Sequence, residues 1–296
     1  MEEAIATATT TTRRIEEPAS LTGPASIRHD MRAAKIVWQR EMMRFWQDRT
    51  RLIVSLVQPI LFLFVLGTGL STLARGATGG LSLRTFMFPG VLAMSTMFTA
   101  MFSAASIVWD REFGFMREML VAPIPRWSIV LGKTFGGATV ATLQGMLILV
   151  LAGGAGVPYN PVLMFTLIVY LLVLSFTLTA LGVVMASRIK NMQAFMALNQ
   201  LVLLPLLFLS GAMFPLTNLP TWLHVLTRID PITYAVDPMR RAVFEHLTVS
   251  PAVLHVLSPG LTWGSWTVSV GMEIGLVLVL GLGLLGVAIA EFNRDE

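Results

Sequence analysis

Gly132-Lys133-Thr134 is the stretch whose residue types come nearest to a nucleotide-phosphate site. A phosphate-binding loop also needs a glycine five residues before the first of these residues, and it follows a buried strand. Trp127 stands at that position, and the sequence around it is the start of a long apolar segment. We therefore expect this chain to bind no ATP and to hold no cofactor of its own.

The residues that other catalytic and metal-binding sites require are also missing from the sequence. The chain has no cysteine, which excludes disulfides, cysteine-ligated zinc and cysteine nucleophiles. Its four histidines stand singly, without metal spacing: His29, His224, His246 and His255. The sequence also lacks the His-Glu-x-x-His, Gly-x-Gly-Asp and Gly-x-Ser-x-Gly patterns of hydrolases. The chain is predicted to have no catalytic residue and no metal site, and therefore not to be an enzyme.

The composition is that of an integral membrane protein. Of the 296 residues, 55% are hydrophobic and only 13% are charged, with a mean hydropathy of +0.72. Soluble domains carry about 25% charged residues. The net charge of +4 could indicate a nucleic-acid partner. The basic residues lie at the ends of apolar segments, however, where the positive-inside rule accounts for them. The expected partner is the lipid bilayer, and no nucleic acid.

Six apolar segments have the roughly 20-residue length that crosses a bilayer. They are Leu52–Leu70, Phe86–Trp109, Ile129–Gly153, Val162–Ala186, Ala194–Met213 and Ser265–Ala290. With the amino terminus inside, the inner segments hold nine, four, two and one Lys or Arg residues, and the outer segments together hold five. This bias predicts an all-α, multi-pass protein with both termini in the cytoplasm.

The chain divides into three regions. Residues 1–30 are mostly polar and Thr/Ala-rich, which predicts a disordered cytoplasmic tail. Residues 31–50 have an apolar stripe flanked by basic residues, as in a helix that lies in the inner membrane interface. The stripe consists of Met31, Ala34, Trp38, Met42 and Phe45. A soluble amphipathic helix would share this pattern, but the apolar segment that follows at once favours the membrane. Residues 51–296 are the predicted six-span domain.

The predicted inner loop, residues 110–127, combines charges with a short apolar helix face. Asp110, Arg111 and Glu112 are expected to cap a short helix. The face consists of Phe113, Met116, Met119 and Leu120. A short helix of this kind facing the cytoplasm can dock into a groove of another protein. The alternative is a solvated charged turn between two spans.

The outer segment around residues 214–247 is unusually rich in proline. The preceding apolar run breaks at Ser210-Gly211, and prolines at helix-starting positions predict two short helices. These are Pro220–Arg228, capped by Asn218 or Thr217, and Ile232–His246, capped by Asp230. Because apolar segments lie on both sides, we expect the helices to be re-entrant at the outer membrane surface, before the last span. An unrelated proline-broken hairpin is the alternative.

The order of residues in this segment resembles the signature of the membrane subunit of type-two ABC exporters. The matching positions are Pro205, Phe208, Ser210, Gly211, Phe214, Pro215, Pro220, Trp222, Leu223, Asp230, Pro231, Thr233, Tyr234, Asp237 and Arg240. That family includes permeases for antibiotic-resistance, nodulation-factor and surface-polysaccharide export. The resemblance implies two ATP-binding ABC subunits, which hold the ATP and Mg, and a second permease subunit, identical or paralogous. It also implies that the inner loop couples to the ATPase through Glu112, Gly114, Arg117, Glu118, Leu120, Pro123 and Lys133.

The function implied by the resemblance is export from the cytoplasm or inner leaflet across the plasma (inner) membrane of a bacterium. The cargo would be drugs, as in multidrug and antibiotic-resistance efflux, or amphipathic metabolites and lipids. The alternatives are a polysaccharide or lipid-linked glycan exporter, and a non-transporting sensor or assembly factor with an ATPase partner.

The candidate pathway residues are apolar side chains and membrane-embedded polar groups. They are Phe98, Met101, Phe102, Asn199, Gln200, Leu203, Phe208 and Glu273. Asn199 and Gln200 would either touch substrate or hydrogen-bond between helices. Glu273 would face a wet pathway or pair with an outer arginine such as Arg240; alternatively it is protonated or reaches the outer interface. Gly132-x-x-x-Gly136 and Gly271-x-x-x-Gly275 are expected to allow close helix packing.

Overall fold

The computed structural model describes residues 24–71, 82–114, 125–216, 220–247, 257–258, 260–263 and 266–294. Helix α1, Pro24–Gln47, overlaps the predicted interfacial helix, residues 31–50, but starts earlier and ends at Gln47. Helix α2, Arg49–Ile60, includes Pro59 and continues as a π-helical turn, Leu61–Leu66, and a helical turn, Gly67–Gly69. The π-helical turn follows the proline, whose ring removes a backbone donor from the regular helical ladder.

In the part of the chain that the structure describes, eight more α-helices, a 3-10 turn (Ala152–Ala155) and a short hairpin follow. The helices are α3 (Leu83–Ser103), α4 (Ala105–Glu112), α5 (Arg126–Leu149), α6 (Pro161–Arg188), α7 (Met192–Leu209), α8 (Thr221–Ile229), α9 (Thr233–Glu245) and α10 (Val270–Arg294). The antiparallel strands β1 (Thr262–Trp263) and β2 (Trp266–Thr267) precede α10. Asn160 and Asn191 accept hydrogen bonds from the first turns of α6 and α7, so these helices start at side-chain caps.

Within the described residues, five helical segments are long and apolar enough to cross a membrane. They are Leu52–Gly69, Leu83–Glu112, Pro161–Arg188, Met192–Leu209 and Val270–Arg294. The sequence predicted six. Helix α5 corresponds to the third predicted span, but its glycines, threonines and Lys133 reduce its mean apolar character. The last span starts at Val270 rather than Ser265, because the residues before it form the hairpin.

Helices α3, α5 and α6 form the centre of the bundle, and α10 packs along α6. Helix α1 packs against α5, where Gly132 and Gly136 allow close contact: a Cβ on Gly132 would lie 2.6 Å from the Ala34 carbonyl oxygen. The spans formed by α2 with its continuation and by α7 are the least buried: 17% and 22% of their residues, respectively, are buried inside the protein. They therefore present apolar surface to lipid or to another subunit.

The chain folds back directly after α7. Gly211 has a φ of +68°, a left-handed conformation that favours glycine, and the next residue, Ala212, packs against α3. A Cβ on Gly90 would lie 2.1 Å from the Ala212 carbonyl oxygen, so α3 and the fold-back are in backbone contact. The two expected outer helices are present as α8 and α9, displaced by a residue at their starts. Pro220 is the cap position of α8; Thr217 and Asn218 lie outside the described residues.

Candidate functional site

Five charged side chains meet where α1, α4 and α5 come together, at what we call the α1 end of the bundle. This α1-end charge cluster consists of Arg40, Glu41, Arg44, Asp110 and Lys133. Lys133 donates hydrogen bonds of 2.7 Å to Glu41 and 2.7 Å to Asp110, and one of 3.0 Å to the Ser106 hydroxyl. Glu41, Asp110 and Lys133 are all buried. The cluster holds the amphipathic helix against the second and third predicted spans.

The position of Asp110 corrects one sequence expectation. Asp110, Arg111 and Glu112 were expected to start a short loop helix, but they lie in the last turn of α4. Asp110 accepts hydrogen bonds from Lys133, Arg40 and Arg44. A buried carboxylate needs such partners, since an unpaired charge in a low-dielectric interior is strongly unfavourable.

A cavity of about 890 Å³ opens beside this cluster. Its walls come from α1, α2, α3, α4, α5 and α7, so the two least buried spans bound it. The apolar lining includes Val54, Pro59, Val140 and Met196. Phe98 and Phe102 add two nearly parallel rings with centroids 6.4 Å apart. A cavity of this size and apolar character suits a small amphipathic molecule.

The polar lining of the cavity is divided by position. Its charged members, Glu41, Arg44 and Asp48, all lie at the α1 end. Further along the helices the polar lining is uncharged: Ser55, Gln58, Ser95, Thr99, Ser103 and Gln144. Gln144 is buried, and neither atom of its amide has a hydrogen-bond partner among the described residues. The cavity therefore offers hydrogen-bonding capacity in its interior without free charge.

Seven of the eight predicted pathway residues fall into three groups, and Glu273 lies apart from them. Phe98 and Phe102 line the cavity. Met101 and Leu203 are buried in the main core, and Asn199 is buried on α7 with no hydrogen-bond partner among the described residues. Gln200 and Phe208 are exposed on the least buried side of the bundle. Only the first group is brought together in one site.

Glu273 is buried in the first turn of α10, beside α9, and does not line the cavity. Arg241 of α9 bridges it at 2.9 Å and also pairs with Asp237 at 2.5 Å. The sequence suggested Arg240 as the partner, and the partner is its neighbour Arg241. Pairing with a guanidinium explains how a carboxylate is accommodated in the first turn of an otherwise apolar helix.

The outer signature residues form an interlocked structure around α8, α9 and the hairpin. Arg240 is buried, donates to the Gly211 carbonyl oxygen, and its guanidinium lies 4.3 Å from the centre of the Phe86 ring. The Tyr234 hydroxyl donates to the Arg228 carbonyl oxygen at 2.8 Å and accepts from the Trp263 indole at 3.0 Å. These contacts fix the fold-back to α3 and to the hairpin.

Asp230 stabilises the start of α9 and should make stability depend on pH. Its carboxylate accepts from the Ile232 amide at 3.0 Å and the Thr233 hydroxyl at 3.2 Å. Burial raises the pKa of Asp230 to about 7. Because this folded-state pKa lies above the unfolded value, the folded protein binds the extra proton, and stability falls as the pH rises from about 4 to about 7.

Asp230→Asn is therefore expected to remove this part of the pH dependence. Its amide oxygen keeps an acceptor for the Ile232 amide, so at pH 5 the variant should melt near the wild-type temperature. At pH 8 it should melt higher than wild type, since no buried carboxylate has to ionise. Thermal melting of the purified protein at the two pH values checks this. Equal pH slopes in both proteins would contradict it.

The predicted coupling residues are described only in part. Glu112 accepts a hydrogen bond of 3.0 Å from the Met192 amide, at the first residue of α7. Gly114 has a φ of +82°, which ends the helix, and Phe113 beside it is exposed. Arg117, Glu118, Leu120 and Pro123 lie outside the described residues. Lys133 is buried in the α1-end charge cluster and does not lie at the protein surface.

Several residues of the site were not singled out in the sequence. Gln144, Thr99 and Ser103 occur in apolar helices without a motif, so only their positions in space reveal them. The pairing of Lys133 with Glu41 and Asp110 was equally hidden, because the partners lie on three elements. One signal was available: a lysine and an aspartate within or beside apolar segments require partners.

Comparison with known proteins shows clear relatives. Residues 32–244 match the family described as ABC-2 type transporter. The chain is 31% identical to nodulation protein J of Rhizobium leguminosarum bv. trifolii, over 72% of this chain and 82% of that protein. It is 30% identical to nodulation protein J of Rhizobium meliloti (strain 1021), over 69% and 78%. It is 28% identical to the transport permease ycf38 of Porphyra purpurea, over 82% of each chain.

The long apolar helices and the matched relatives together define a class of protein: an integral membrane permease, the transmembrane rather than the catalytic part of a transporter. Within that class the chain belongs to the ABC-2 type transporter family. Membership in this family implies, in general, an ABC ATPase as partner. The family prediction made from the outer segment is thereby confirmed.

Proposed function

We propose that this chain is the permease subunit of an ATP-driven exporter that moves drugs or amphipathic metabolites and lipids out of the cytoplasm or inner leaflet. The observation that carries the proposal is the cavity between the two least buried spans, with apolar walls and uncharged polar groups in its interior. Such a lining matches a molecule that has both an apolar and a polar part.

The proposed assembly contains two permease subunits and two ATP-binding subunits. Helix α5, the third predicted span, would bring the number of spans to six. The chain would then cross a bacterial inner membrane six times, with both termini in the cytoplasm. Exposed apolar residues on α2 and α7, such as Val57, Leu201 and Leu204, suit a seam with the second permease, identical or paralogous. ATP binding can favour an outward-open state only if the ATPase binds the two states with different affinity.

The α1 end is where we place the ATPase contact. Glu112 and Gly114 end α4 there, and the loop that follows is the proposed coupling segment. The Glu112 carboxylate also bonds the start of α7, which bounds the cavity. A push on this loop would therefore reach a cavity wall through a single hydrogen bond. This is the physical route that we propose for coupling.

Glu112→Lys is expected to reduce cargo-stimulated ATP hydrolysis of the complex about fivefold or more, the lower end of typical coupling energies. The Glu112→Lys variant should still fold, because the hydrogen bond that it loses is exposed and contributes little to stability. Glu112→Gln, which keeps an acceptor for Met192, is the matched control and should lose less. ATPase assays on the reconstituted complex check this. Unchanged stimulation in Glu112→Lys would contradict the coupling assignment.

The assembly is tested by affinity purification of the tagged chain from its own host in mild detergent. We expect an ATP-binding subunit in a one-to-one ratio and vanadate-sensitive ATP hydrolysis by the purified complex. A chain that purifies alone, in preparations without ATP hydrolysis, would favour the sensor or assembly factor over the exporter.

A further inference from the structure

Gln144 lines the cavity, and among the described residues its amide has no hydrogen-bond partner. On α5 it is eleven residues beyond Lys133, which is roughly 16 Å along the helix from the α1-end charge cluster. It lines the cavity, it is buried, and neither its Nε2 nor its Oε1 has a hydrogen-bond partner among the described residues. Leaving a buried polar atom unpaired is unfavourable, because the atom has lost its hydrogen bonds to water and gained none in return. A ligand with a matching donor and acceptor would remove that cost.

The charges that reach the cavity already have partners. Glu41 accepts from Lys133 at 2.7 Å, and Arg44 bridges Asp110 at 3.1 Å. Asp48 is likewise not a free charge. The α1 end therefore offers no unpaired side-chain charge to a bound anion or cation, as far as the described lining residues go.

The interior of the cavity instead combines hydroxyl and amide groups with aromatic rings. Ser55 and Gln58 of α2, Ser95 and Thr99 of α3, and Gln144 of α5 all line it. Ser55 and Ser95 donate to carbonyl oxygens of their own helices, which leaves their oxygens able to accept. Beside these groups the stacked rings of Phe98 and Phe102 form a flat apolar wall.

We infer, on the basis of the proposed export function, that the cargo class is an uncharged amphiphile whose polar part carries amide or hydroxyl groups, with Gln144 as a specificity-determining contact. The Gln144 amide both donates to and accepts from such a group. The apolar part of the cargo packs along Phe98 and Phe102. Anionic and cationic amphiphiles of the same chain length are disfavoured, because their charge loses its hydration and finds no unpaired countercharge.

The test uses three probes with the same dodecyl-length chain: neutral N-dodecanoyl-N-methylglucamine, anionic dodecyl phosphate and cationic dodecyltrimethylammonium. Saturable binding to the full chain with its ATP-binding partner is measured in lipid nanodiscs, and partition into empty nanodiscs is subtracted. We expect the neutral probe to bind about tenfold more tightly than either charged probe. Equal or tighter binding of a charged probe, or binding of none of them, would overturn the inferred cargo class.

Gln144→Met keeps the shape of the side chain and removes its amide. It should raise the Kd of the neutral probe about tenfold, the factor expected for one lost hydrogen-bonding group, and leave weak binding of the charged probes unchanged. Thr179→Val is the matched control, since it also removes an unpaired buried polar atom from a span but does not line the cavity. An unchanged Kd in Gln144→Met, with melting near wild type, would overturn the role of Gln144.

The same probes separate this inference from the export function. ATP-driven uptake into inside-out vesicles is measured for each probe with the complete complex. Uptake of a charged probe in preference to the neutral one would leave the exporter intact and overturn the inferred cargo class. Uptake of no probe by a complex that binds the neutral probe and hydrolyses ATP would contradict the export function itself.

Discussion

Gly90→Ala is expected to destabilise the folded protein by about 3 kcal/mol, at the upper end of overpacking effects. The added methyl carbon would lie 2.1 Å from the Ala212 carbonyl oxygen, 2.6 Å from its carbonyl carbon and 2.7 Å from its Cα. All three are backbone atoms, so no side-chain rotation can relieve the clash. Either α3 or the fold-back after α7 has to move.

The melting temperature in detergent checks this prediction, and a loss of about 3 kcal/mol corresponds to a decrease of roughly 10 °C. Gly275→Ala is the matched control: Gly275 is also a glycine within a span, and a Cβ there would meet no described residue within 4 Å. We expect the control to melt at or slightly above the wild-type temperature, because alanine favours helix over glycine. Equal melting of the two variants would contradict the close contact between α3 and the fold-back.

Lys133→Met is expected to cost about 3 kcal/mol, the lower end of the range for breaking a buried ion pair. Lys133 lies 2.7 Å from both Glu41 and Asp110. Asp110 keeps Arg40 and Arg44 in the variant, which limits the loss. Glu41 keeps a hydrogen bond of 3.5 Å from the Ser106 hydroxyl and a contact of 3.7 Å to Arg44, so its buried carboxylate loses its closest countercharge.

A double variant makes this prediction specific to the charge. Lys133→Met combined with Glu41→Gln removes one buried cation and one buried anion, and it should melt higher than Lys133→Met alone. Lys35→Met, which removes an exposed lysine of α1, should change the melting temperature little. If the double variant lost the sum of the two single effects, the pairing of Lys133 with Glu41 would not be the source of the stability.

The features that the sequence predicted well depend on local signals. Proline and glycine positions in the outer segment predicted two short helices after the break at Ser210-Gly211, and α8 and α9 lie within two residues of the expected bounds. The spacing of apolar residues likewise predicted α1. The length of the apolar segments predicted six spans, and five helices of membrane length are present among the described residues. These signals act over a few residues, and neither packing nor partners are needed to interpret them.

Features that depend on the relative placement of helices were beyond sequence reasoning. The two Gly-x-x-x-Gly motifs look alike, yet Gly132 and Gly136 contact α1, whereas Cβ atoms on Gly271 and Gly275 would meet nothing within 4 Å among the described residues. Glu273 pairs with Arg241 rather than Arg240, because a rotation of about 100° between consecutive helical residues selects one of two adjacent arginines. Gln144 carries no motif, and its cavity exists only in the folded bundle.

The central claim, that the chain moves amphiphiles at the expense of ATP, is tested most directly by transport. Inside-out vesicles containing the chain and its ATP-binding partner are supplied with ATP and the three dodecyl probes, and probe accumulation is measured over time. Vesicles with a hydrolysis-deficient partner serve as control. The predicted result is vanadate-sensitive accumulation of the neutral probe, absent from the control vesicles. ATP hydrolysis at full rate with no accumulation of any probe would contradict the claim.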